Sequence, residues 1–186
     1  ASQFRALIAV KAKDLKIMLP MVVSLDELRK ARAILDREAE AMGQPAPALG
    51  IMIETPAAAL IADTLATEAA FFSIGSNDLS QYALAMDRGN AGTAAGLDAL
   101  HPAVLRLIRA TVEGGRRHDR WTGVCGGVAA DPVAVPILVG LGVTELSVPP
   151  AAIAEIKQIV RQIDTESSAK LAASACDASD ATTVRM

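Results

Sequence analysis

Aromatic residues make up only 3% of the 186, with one Trp, one Tyr and three Phe. A core short of rings has to be aliphatic, and Ala, Val, Leu, Ile and Met carry most of the 52% hydrophobic content. Cysteine is scarce too: Cys125 and Cys176 stand too far apart for a metal knuckle. With two histidines and no His/Cys cluster, a zinc site is not expected, and a reducing, cytoplasmic compartment is. Positive charge is thin. Arg116-Arg117-His118 is the largest basic cluster and the net charge is −3, which argues against a nucleic-acid-binding surface. No apolar run approaches the roughly 18 residues that cross a bilayer, so no membrane span is expected. The N-terminus lacks a basic stretch followed by an apolar one, so no secretory signal is expected.

What is present is a chain of single-domain length, long enough to bury a real core. Its order is regular. A short helix over 4–12 precedes an apolar strand, Leu15 to Val22, interrupted by Pro20. Ser24 and Glu27 form a capping-box pattern ahead of a helix over 25–42. Strands follow at 49–54, 71–75, 121–125 and 145–148. Helices are expected at 57–67, 78–86, 102–118, 132–140 and 150–163. Residues 89–100 are Gly- and Ala-rich and irregular, and 164–186 is a tail, either a marginal helix or disordered. Five near-continuous apolar strands alternating with helices imply an α/β fold with a parallel sheet. An open doubly wound sheet and part of a (β/α)8 barrel both satisfy that count.

Chemically able residues gather at the strands' C-terminal ends, the ligand face of any parallel α/β fold. Glu54 ends the second strand, Ser76, Asn77 and Asp78 follow the third, and Cys125 ends the fourth. Hard carboxylate oxygens at Glu54 and Asp78 suit Mg²⁺. The structural alternative is a solvated strand-end Glu and a helix cap, a role open to Asn77 as well. Arg88, beside the long loop 89–100, is placed either to complement a helix dipole or to grip a phosphate or carboxylate. The loop's length suggests a lid. Cys125 is either an inert small hydrophobe or a proton donor facing a pocket.

Several strings occur together and in order. They are Ile17 to Met21, Gly50-Ile51-Met52-Ile53-Glu54-Thr55-Pro56, Phe71-Phe72-Ser73-Ile74-Gly75-Ser76-Asn77-Asp78-Leu79, Asp87-Arg88-Gly89-Asn90 and Gly123-Val124-Cys125-Gly126. Over about residues 1–163 the chain resembles the C-terminal phosphoenolpyruvate-binding domain of enzyme I of the bacterial phosphotransferase system. That resemblance implies five βα units of a (β/α)8 barrel, corresponding to strands four to eight. It implies a domain over 1–163 followed by the tail 164–186, and assembly as a homodimer. It further implies transfer of the phosphoryl group from phosphoenolpyruvate to a histidine on a separate N-terminal domain, then to the carrier protein HPr for sugar uptake. By matching residues, Glu54 and Asp78 would be Mg²⁺ ligands, Asn77 and Arg88 would hold the phosphate, and Cys125 would protonate the enolate carbon. Pyruvate phosphate dikinase, phosphoenolpyruvate synthase and a non-catalytic dimerisation module are the alternatives.

The chain departs from the family pattern in three respects. The first three barrel strands, with their arginines, and the histidine domain are absent from these residues. Neither His101 nor His118 lies in a matching motif. The Glu usual two residues after the cysteine is replaced by Gly127, and Cys-Gly-Gly is similar to fructose-specific, multi-domain relatives. A barrel wall with two unpaired edges invites association. These 186 residues are therefore expected to sediment as a dimer or larger species, and a well-folded strict monomer would contradict this.

Overall fold

The computed structural model describes residues 1–186. Helix α1 (Ser2–Ala9) precedes strand β1 (Lys16–Leu19). Then come α2 (Leu25–Ala41), β2 (Ala48–Ile53), α3 (Pro56–Leu60), α4 (Ala62–Ala66) and β3 (Phe72–Gly75). They are followed by α5 (Ser76–Ala83), α6 (Ala91–Ala94), α7 (Pro102–Arg116) and β4 (Thr122–Cys125). The chain closes with α8 (Ala134–Gly140), β5 (Glu145–Leu146), α9 (Ile153–Gln162), α10 (Thr165–Asp177) and α11 (Ala181–Arg185).

All pairings are parallel and the strand order is β1-β2-β3-β4-β5. A doubly wound sheet reverses its strand order at a switch point. A sheet laid down in sequential order, with every crossover on one face, is the wall of a barrel. The architecture is therefore five βα units of a (β/α) barrel, and the doubly wound alternative falls.

Helix packing accounts for the core. In α2, Ser24 and Glu27 form both bonds of the capping box, and Leu28, Leu35 and Ala39 turn one stripe onto the sheet. All four residues of β3, the central strand, are buried. Its outward Phe72 and Ile74 meet Leu105 and Ile108 of α7 within one aliphatic cluster. The concave inner face is more open. Met18, Met52, Ser73 and Cys125 line a cavity of about 760 Å³, with Phe71 and Trp121 stacked at its lower end, ring centroids 4.6 Å apart.

The structure divides one expected helix and places helices in the tail. The helix expected over 57–67 breaks at Ile61, whose φ of −108° and ψ of 21° leave the helical basin. Residues 164–186 contain two helices. In α10, Ser168, Ala172, Ala175 and Cys176 are buried, and a Cβ on Gly140 of α8 would fall 2.0 Å from the Ser168 carbonyl oxygen. Only glycine permits that approach, and small residues on α10 let its backbone lie close. Arg106 Nε donates to the Cys176 carbonyl at 2.7 Å.

The last helix is tied to the ligand face. Arg185 forks onto Asp98 at 2.6 and 2.9 Å and reaches Asp131 at 2.9 Å. Asp98 and Asp131 belong to the connections that follow β3 and β4. The Arg185 guanidinium holds the Asp98 carboxyl below its usual range. Arg185→Ala should cost about 1 kcal/mol at neutral pH, since all three side chains keep some solvent contact. A depressed carboxylate contributes stability above its unfolded value of roughly 3.9 and loses it as pH falls through the folded one. Thermal melts of variant and parent should differ at pH 7 and converge in acid; a gap unchanged by acid would refute the pairing.

Candidate functional site

Adjacent parallel strands end at one level and deliver their polar residues together. The register pairs Ile53 with Ile74 and Gly75 with Cys125. Glu54 follows β2 directly. It is 6% exposed, and its Oε2 accepts the Met21 N–H at 2.9 Å. Burial raises the Glu54 carboxyl above the usual carboxylate range; the Met21 bond opposes this, and nearby Asp78 adds to it. Room for the carboxylate comes from Gly75, where a Cβ would lie 2.7 Å from Glu54 Cγ. Met21 itself adopts a left-handed backbone with φ of 55°. That conformation is costly for a side-chain-bearing residue, and here it accompanies an amide aimed at the acid.

Helix α5 starts directly from β3, with Gly75 as its N-cap and no side-chain cap bond. Capping is therefore not the role of Asn77 or Asp78, which occupy the first turn. Asn77 Oδ1 accepts the Gly127 N–H at 3.1 Å, spanning the connections after β3 and β4 and leaving its amide hydrogens for other acceptors. Asp78 Oδ1 is 3.1 Å from Arg88 Nη2. The structure thus brings Glu54, Asp78, Asn77 and Arg88 to one end of the sheet. Residues 89–100 are not wholly irregular, since α6 lies within them, capped by Asn90.

Cys125 lies on the inner face beside Ser73. Its Sγ donates to the Ile74 carbonyl at 3.4 Å and accepts from Ser73 Oγ at 3.8 Å. Burial pushes the thiol up; the Ser73 bond opposes this, and the negative charge of Glu54 and then Asp78 adds to it. Gly126, at φ of 91°, takes a conformation that favours glycine, and a Cβ there would lie 2.4 Å from Ser76 Oγ. Ser76 Oγ donates to the Cys125 carbonyl at 2.7 Å, which fixes the strand end.

Two contributors lie outside the site residues that the sequence singles out. Ser73 lies inside an apolar string, and only the period-two alternation of a strand points it inward with Cys125. Met21 acts through its backbone, which no side-chain pattern reveals. Ser76 was legible as a polar residue after the strand, but its bond to Cys125 needs the register. His101 caps α7 through Nδ1, and His118 sits in the turn beyond α7, its N–H bonded to the Gly115 carbonyl.

A thiol held protonated by burial and by two neighbouring carboxylates should be a slow nucleophile at neutral pH. Alkylation of Cys125, followed by mass spectrometry, should lag behind a free cysteine at pH 7–8. Its rate should rise at higher pH than that of a free cysteine, since the thiol is pushed up. Rapid labelling at neutral pH would show that the thiolate is populated.

Residues 1–165 match the family described as PEP-utilising enzyme, PEP-binding domain. A multiphosphoryl transfer protein of Xanthomonas campestris pv. campestris is 54% identical over 86% of this chain and 19% of its own length. A phosphoenolpyruvate-protein phosphotransferase of Bacillus sp. (strain S) is 42% identical over 91% of this chain and 31% of its own. The chain thus spans about a fifth to a third of these curated relatives. Among solved structures, a citrate lyase from Burkholderia xenovorans aligns over 99% of this chain and 65% of its own, with a TM-score of 0.67 and 18% identity, a likeness of fold alone. No helix is long and apolar enough to cross a membrane. On its sequence and on the fold that delivers these residues, the chain belongs to the PEP-utilising enzymes, as part of their PEP-binding domain.

Proposed function

We propose that these residues form one side of a phosphoenolpyruvate site in a cytoplasmic phosphoenolpyruvate-protein phosphotransferase of multi-domain type. The carrying observation is the convergence of Glu54, Asn77, Asp78, Arg88 and Cys125 at the ends of three neighbouring strands. The relatives' names support the substrate and the reaction class.

The donor set fits Mg²⁺. Two carboxylates lie close enough for Asp78 to raise Glu54, a repulsion that a cation between them relieves. Glu54 and Asp78 would hold the ion, and bound Mg²⁺ would neutralise phosphate oxygens of the substrate. The remaining work falls to the chain's own groups. The Asn77 amide, oriented by Gly127, donates to a phosphate oxygen. Arg88 offers a planar fork to the same group. Once the phosphoryl group leaves, the enolate of pyruvate needs a proton on carbon, and the Cys125 thiol supplies it. The Ser73 hydroxyl already donates to that sulfur and would steady the thiolate left behind.

By the resemblance, the phosphoryl acceptor is a histidine on another domain; neither His101, which caps α7, nor His118 lies in a matching motif. From there the group passes to HPr, and the working form is a homodimer. The 186 residues alone would bind substrate weakly and turn nothing over.

Calorimetric titration of Mg²⁺ and phosphoenolpyruvate into the chain tests the site. Binding should require the metal and fall at least about tenfold in Glu54→Ala and in Asp78→Ala, one charged ligand each. Binding that persists without metal and survives both substitutions would overturn the assignment.

A further inference from the structure

Arg88 has one ion-pair partner, and that partner is a proposed metal ligand. Its Nη2 lies 3.1 Å from Asp78 Oδ1, and its charge also acts to lower Glu54. The Arg88 side chain is 52% exposed, so its packing does not lock it there. Its backbone is anchored, the Arg88 N–H meeting Gln81 Oε1 at 3.3 Å. The side chain is therefore a long arm on a fixed post at the start of the 89–100 connection. It rests on Asp78, which has no other ion-pair partner, and its charge reaches Glu54 behind.

We propose that Arg88 is a placeholder cation, which occupies the carboxylate pair until a divalent ion displaces it toward the substrate's phosphate. This deepens the reading above and rests on it. Two adjacent carboxylates, one buried, repel each other, and the nearest mobile positive charge settles beside them. A divalent ion needs the same oxygen lone pairs and repels the guanidinium. Once freed, the fork finds its best remaining partner in a phosphate, which it binds bidentately. Metal entry and delivery of Arg88 to the phosphate are then one motion. Metal and phosphoenolpyruvate strengthen each other's binding because the phosphate removes the metal's competitor. Reciprocity of the coupling follows from linkage.

The sign of one substitution separates this from a plain phosphate ligand. A residue that only grips phosphate leaves metal binding in the absence of substrate unchanged. A placeholder weakens it. Mn²⁺, followed by electron paramagnetic resonance, serves as the probe, with folding of each variant checked by circular dichroism. Without phosphoenolpyruvate, Arg88→Ala should bind Mn²⁺ about three- to fivefold more tightly than the parent, the range open to a partly exposed ion pair. Arg88→Lys, which keeps the charge, should bind like the parent. The gain should shrink as ionic strength rises. With phosphoenolpyruvate present, both should bind Mn²⁺ more tightly through the phosphate's own charge, and the parent should gain more than Arg88→Ala does. Equal or weaker Mn²⁺ binding by folded Arg88→Ala overturns the placeholder and leaves the metal site standing. Absence of Mn²⁺ binding in both the folded parent and Arg88→Ala overturns the placeholder and the metal site together.

Discussion

The polar face hangs from the close approach of β2, β3 and β4 at their C-terminal ends. The register sets Ile53 beside Ile74 and Gly75 beside Cys125, and Gly75 makes that approach possible. The space its missing side chain leaves is filled by the Glu54 carboxylate. A methyl group there would drive Glu54 outward, away from the Met21 amide and from Asp78. Gly126 does the same one strand over, where Ser76 Oγ lies against its backbone and bonds the Cys125 carbonyl. The chemistry of the site is thus a consequence of strand packing before it is one of side-chain choice.

Electrostatics then links the two halves of the site. A buried carboxylate with a single amide donor and a second carboxylate nearby is an unfavourable arrangement for a folded chain. Glu54 is in that arrangement, and its carboxyl is raised accordingly. Burial raises the Cys125 thiol, and the same two carboxylates push it further up. The groups suited to a cation therefore help keep the sulfur in its proton-bearing form.

Much of this was legible in the sequence because parallel α/β chains place each element locally. Five apolar strands, the Ser24–Glu27 capping box and the polar residues after each strand all announce themselves by period and by position. Sequence order could not choose between barrel and open sheet, because that choice lies in strand order, a long-range property. The tail was obscure for a different reason. Ser168, Ala172, Ala175 and Cys176 have helical spacing, but they are small, and the apolar signal they give is weak. Their burial comes from docking on Gly140. Asn77 and Asp78 were open to a capping role until α5 proved to begin at Ser76, without a side-chain cap. Ser73 and Met21 stayed hidden because one needs the face of a strand and the other acts through its amide.

Gly127 shows what a departure from the resembled pattern does physically. A Cβ at that position would meet only Asn77 Oδ1, at an ordinary 3.8 Å. The backbone there has room for a side chain, and the Gly127 amide bonds Asn77 without needing one. Glycine in place of glutamate therefore removes a negative charge and leaves the frame intact. The consequence falls on charge balance. With no acid at position 127, the carboxylates beside Asn77 are Asp98 and Asp131, both already held by Arg185, and Arg88 keeps Asp78 as its ion-pair partner.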